Sequence, residues 1–179
     1  MQELTRPQDH SIWLRFAPSV ERRLSAYVNN LASPRQSPVF TPHITLLGDL
    51  NGPPGDTVEI CEQAMGSIHP ITVSFTGLDR SDEFFMSLYL TMVVPDEVVS
   101  MRHGVAKSLG ITPSPFTPHV SLAYGADAAF LTPECEKRVC AEFVGQEAKI
   151  ATISIVSSSR EIPIANWTPL IDLDAPYSL

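Results

Sequence analysis

The chain has 179 residues, 44% hydrophobic and 18% charged, a balance that suits one globular domain, or two similar halves, and excludes a disordered segment. Twelve Lys and Arg against twenty Asp and Glu leave a net charge of −8, which argues against a protein that tracks long nucleic acid on a basic surface. A small anionic ligand in a local pocket stays compatible with that charge.

The N-terminal MQELTRPQDH is polar, without an apolar signal core, and places His10 in a tail. No later run is long enough to span a bilayer, so a cytoplasmic monomer with no membrane partner is expected. Ser11 to Ala17 reads as a strand, with Ile12, Leu14 and Phe16 on one face and Trp13 and Arg15 on the other. Pro18-Ser19 opens a helix to about Asn30, its apolar stripe being Val20, Leu24, Tyr27, Val28 and Leu31. A proline-rich loop, Ser33 to Ser37, leads to a strand from His43 to Gly48. Asn51 to Gly55 is a loop, and Asp56 with Glu59 resembles a capping box for a helix to about Ser67. His69 then falls at a helix-to-strand turn. Strands Ile71–Leu78 and Glu83–Val94 form a hairpin about Arg80-Ser81-Asp82.

A second half follows the same order. A helix runs from Pro95-Asp96 to about Leu109, with His103 on its exposed side, and a loop from Ile111 to Phe116 precedes a strand from His119 to Tyr124. Thr132 caps a helix with Pro133 at its first position, ending near Phe143. Strands Lys149–Ser157 and Trp167–Leu173 close the chain around a turn at Pro163. The three cysteines, Cys61, Cys135 and Cys140, lack metal-type spacing and read as packing thiols of a reducing compartment.

The two halves, roughly 11–82 and 83–173 of a single domain, each carry one copy of a motif. Thr41-Pro42-His43-Ile44-Thr45-Leu46 is echoed by Thr117-Pro118-His119-Val120-Ser121-Leu122, each behind a phenylalanine, Phe40 or Phe116. Residues i and i+2 of a strand share a face, so each copy presents an imidazole beside a hydroxyl. A lone His-x-Thr is weak evidence, but packing alone gives no reason for a matched pair. Two histidines can divide base and acid duties in an in-line displacement at phosphorus, while Thr45 and Ser121 donate to the non-bridging oxygens. A zinc site is the poorer reading, since no third ligand recurs at a suitable spacing, and no Gly-x-Ser-x-Gly marks a serine nucleophile. No metal and no nucleotide cofactor is expected.

These paired His-x-(Thr/Ser) motifs are the signature of the 2H phosphoesterase superfamily. With Ser11-Ile-Trp-Leu-Arg-Phe-Ala-Pro, Glu83-Phe-Phe-Met-Ser-Leu-Tyr-Leu and a tryptophan at Trp167, the chain resembles its plant and fungal 2′,3′-cyclic-nucleotide phosphodiesterases, which also act on ADP-ribose 1″,2″-cyclic phosphate. The resemblance implies an α+β fold of two pseudo-symmetric halves, with antiparallel sheets lining a central cleft and helices outside. It makes His43 and His119 the catalytic pair, with Thr45 and Ser121 holding the phosphate. Tyr124 is implied as a contact to phosphate or ribose and Trp13 as a stacking face for the nucleotide. The RNA 2′,5′-ligase-like branch usually has an arginine soon after the second motif, where this chain has Ala123-Tyr124-Gly125. With the negative charge, this points to a small cyclic nucleotide substrate; Arg15, Arg80 and Arg160 are the candidates for positive charge in the cleft.

Overall fold

The first motif strand and the second motif strand are the two ends of a single curled antiparallel sheet. The computed structural model describes residues 4–65, 71–125 and 131–174. Its strands are β1 (Gln8–Phe16), β2 (Ile44–Gly52), β3 (Thr72–Arg80), β4 (Leu88–Val93), β5 (His119–Ala123), β6 (Glu147–Ser157) and β7 (Thr168–Asp174). Among the described residues four α-helices lie between them: α1 (Pro18–Ala32), α2 (Pro54–Met65), α3 (Asp96–Ser108) and α4 (Pro133–Phe143). The sheet order is β2-β1-β6-β3-β4-β5, with β7 added to β6. The fold is α+β, as the resemblance implies.

The sequence order strand, helix, motif strand, helix, strand occurs twice, but its third strands cross over. β3 pairs with β4, and β6 pairs with β1. The long β6 joins the sheet together, meeting β3 through 147–149 and β7 through 152–157 along one edge. Alternation explains the faces. Ile12, Leu14 and Phe16 of β1, Ile44 and Leu46 of β2, and Val120 and Leu122 of β5 are all buried in one apolar core. Leu24 and Leu31 of α1, Val98 and Val105 of α3, and Val139 and Phe143 of α4 complete it. Cys61 is buried there as a free thiol, and Cys135 and Cys140 are also unbonded.

Local chemistry sets the helix starts. Thr132 accepts from the Cys135 N–H at 3.2 Å ahead of Pro133, the expected cap of α4. α2 departs from expectation. It begins at Pro54, so Asp56 lies inside the first turn and no Asp56–Glu59 capping box forms there; the carboxylate instead faces the positive end of the helix dipole. Ser67 and His69 lie outside the described residues. β4 also starts later than read, at Leu88, because Phe84–Met86 coils into a 3₁₀ turn. β1 starts earlier, pairing Gln8 with Gly52 and Asp9 with Asn51. His10 is therefore no tail residue. It is buried, its Nδ1–H donating to the Gln8 carbonyl at 2.9 Å while Nε2 accepts from the Thr57 hydroxyl at 2.8 Å.

Candidate active site

The two motifs fold their histidines in the same way. His43 stands immediately before β2 and His119 opens β5. His43 Nδ1 lies 2.6 Å from the Thr41 carbonyl, and His119 Nδ1 lies 2.8 Å from the Thr117 carbonyl. A carbonyl oxygen only accepts, so both Nδ1 atoms carry a proton, and each neutral ring keeps its lone pair on Nε2. The proline between threonine and histidine fixes one backbone angle and restricts the threonine before it, which holds that carbonyl in place.

Both imidazoles line one cleft of about 180 Å³, together with Trp13, Thr45, Ser121, Tyr124 and Trp167. The structure thus brings all the expected site residues to one place. Their environments differ. The Trp13 indole lies flat on the His43 ring, with centroids 3.5 Å apart and planes 5° apart, and meets Trp167 edge-on. Burial pushes the His43 pKa down to about 3, against the raising effect of the Thr41 hydrogen bond; His119 and Arg15 add to the lowering. His119 is half-buried and packs edge-to-face on Tyr89. Burial lowers its pKa too, while the Thr117 hydrogen bond and the Glu83 carboxylate oppose that shift.

The hydroxyls also differ. Ser121 is buried and donates to the Phe85 carbonyl at 2.9 Å, whereas Thr45 is exposed. Tyr124 is buried with its ring stacked 3.7 Å from that of Phe40, and burial raises its pKa, so the hydroxyl stays protonated beside Ser121. Trp13 is only 5% exposed, and His43 covers one of its faces.

Of the three arginines expected to charge the cleft, Arg15, Arg80 and Arg160, Arg160 alone lines it. Arg15 is held by Glu21 at 2.7 Å and Arg80 by Glu136 at 2.8 Å. Sequence reading passed over the other wall, formed by Ser158, Ser159 and Asp49. Asp49 has a φ of 53°, a left-handed conformation unusual for a non-glycine residue. Its carboxylate accepts from the Arg160 backbone N–H at 3.2 Å and sits 3.5 Å from the Arg160 Nε. The run Ser157-Ser158-Ser159-Arg160, directly after a strand, was the available signal. Glu83, Phe85 and Met86 enter the cleft because of the 3₁₀ turn, which strand alternation does not reveal.

A family model described as the 2′-5′ RNA ligase superfamily matches residues 16–161. The chain belongs to this superfamily. Solved structures agree in fold. Apo LigT of E. coli aligns with a TM-score of 0.63 at 16% identity, over 94% of this chain and 98% of LigT. LigT complexed with 3′-AMP gives 0.62 at 17% identity, over 96% and 99% of the two chains. TT0787 of Thermus thermophilus gives 0.65 at 16%, over 94% and 98%. No curated protein sequence matches the chain significantly. Among the described residues no helix is long and apolar enough to cross a membrane, and no three His, Cys, Asp or Glu side chains converge as metal ligands.

Proposed function

We propose that the protein hydrolyses a ribose cyclic phosphodiester to a phosphomonoester with its two histidines and without a metal or nucleotide cofactor. The substrates would be nucleoside 2′,3′-cyclic phosphates, giving 2′-phosphates, or ADP-ribose 1″,2″-cyclic phosphate, giving the 1″-phosphate. The observation that carries this reading is the matched pair of imidazoles lining one cleft, each with Nδ1 tied to its own chain. Such a pair leaves two Nε2 atoms for proton transfer at one phosphoryl group.

The unequal surroundings support a division of roles between the two rings. His43, the more strongly neutral ring, takes a proton from water as its oxygen attacks phosphorus. His119, whose charged form the Glu83 carboxylate favours, takes up a proton on Nε2 as the anionic substrate binds and gives it to the departing ribose oxygen as the P–O bond breaks. The anionic substrate raises both pKa values on binding, since a negative charge favours the imidazolium. Thr45 donates to one non-bridging oxygen, and Ser121 turns from the Phe85 carbonyl to donate to the other. Tyr124 backs Ser121. Trp13 serves chiefly as the floor that holds the His43 ring, while the half-buried rings of Phe85 and Trp167, 5.9 Å apart, are left to meet the base.

The family description favours one second reading, cleavage of a 2′,5′-phosphodiester at an RNA end. Product analysis separates the two. All four nucleoside 2′,3′-cyclic phosphates and ADP-ribose cyclic phosphate should be opened faster than a 2′,5′-linked dinucleotide, in the presence of EDTA. Turnover of the dinucleotide alone would transfer the assignment to the second reading, and loss of activity that zinc restores would revive a metal site.

A further inference from the structure

Among the described residues β2 and β5 each pair with a single strand, so no ladder of backbone hydrogen bonds there fixes the distance between the histidines they carry. The side chain of Arg102 spans that gap. Arg102 on α3 is only 5% exposed. Its Nε–H donates to the Leu46 carbonyl of β2 at 2.9 Å, and a terminal N–H donates to the Ser114 carbonyl at 2.7 Å. Its guanidinium carbon lies 4.8 Å from the centre of the Phe116 ring. Leu46 directly follows Thr45 in the first motif. Phe116 directly precedes Thr117, whose carbonyl holds His119. Arg102 therefore grips both motifs a few bonds from their functional groups.

A cation buried in this way is costly. Among the described residues no carboxylate pairs with Arg102, and burial lowers its pKa. An apolar side chain would fill the space at less cost, but it lacks the planar fork that reaches two carbonyls at once. We propose that Arg102 is a positioning residue that sets the separation of His43 and His119 across the open seam of the sheet. The proposal rests on the two-histidine reading above. In-line transfer needs both rings at matched distances from one phosphorus, and a misplacement of about 1 Å costs roughly a hundredfold in rate.

The test is a double-mutant cycle with a nucleoside 2′,3′-cyclic phosphate, using R102M, H43A and H43A/R102M, each checked by thermal denaturation. R102M should lower kcat about a hundredfold with KM changed little, because each half of the site stays intact. The double variant should turn over like H43A alone, since one remaining histidine leaves no separation to set. Independent, multiplying losses would overturn the proposal by showing that Arg102 serves the fold, and so would near-normal kcat in R102M. Should R102M fail to fold, R102K keeps the charge but cannot hold both carbonyls, and near-normal kcat in R102K overturns the proposal equally. Full activity in H43A is the distinct result that removes the two-histidine reading and this inference together.

Discussion

His43 should make the protein acid-sensitive in a way that a single substitution can isolate. The ring is 7% exposed, and burial brings its pKa from the ordinary 6.5 to about 3. Between those values the unfolded chain holds a proton that the folded chain does not, so stability rises with pH across that window. The contribution is complete above the unfolded value and is lost as pH falls through it. Each pH unit inside the window is worth about 1.4 kcal/mol, which gives about 2 kcal/mol between pH 7.5 and pH 5.0. H43N does not titrate, yet its side-chain amide can still donate to the Thr41 carbonyl. Urea denaturation of both proteins at several pH values is the assay. His10 and His119 remain in both and cancel in the difference. The advantage of the natural protein over H43N should shrink by about 2 kcal/mol over that range. Parallel profiles would refute the view that His43 is kept neutral by burial.

The two hydroxyls should respond unequally to removal. T45V should leave the thermal midpoint unchanged, since Thr45 is exposed, and should lower kcat about 100- to 1000-fold if its hydroxyl holds a developing charge. S121A should cost about 1–3 kcal/mol of stability as well as turnover, because it strands the buried-side Phe85 carbonyl. R160Q should raise KM for substrates with a phosphate beyond the scissile one and spare nucleoside 2′,3′-cyclic phosphates; equal shifts for both would remove Arg160 from substrate recognition. T132A should cost about 1 kcal/mol by removing the cap of α4, with kcat unchanged.

The parts of this fold and site visible in sequence are those built from local pattern. A proline before each histidine, alternation through Ile44–Leu46 and Val120–Leu122, and Thr132-Pro133 all act within a few residues, and the structure carries each of them. What stayed hidden depends on distant pairing. His10 reads as tail until β1 is seen to pair with residues as far as Gly52, which buries it against Thr57. Glu83–Ser87 alternates like a strand, but hydrogen bonds from the Ser87 hydroxyl to the Glu83 and Phe84 carbonyls favour a coil there. Arg102 lies on a helix whose polar residues give no hint that one of them is buried, because the carbonyls it meets belong to two other segments.

The flat contact between Trp13 and His43 has an optical consequence. An imidazolium drains the excited state of an adjacent indole far more readily than a neutral imidazole, and these rings lie 3.5 Å apart. With Trp167 as the second tryptophan, W167F would leave Trp13 as the sole indole of the chain. Its emission would then report the charge on His43 directly, without a label, as a ligand fills the cleft or as acid is added.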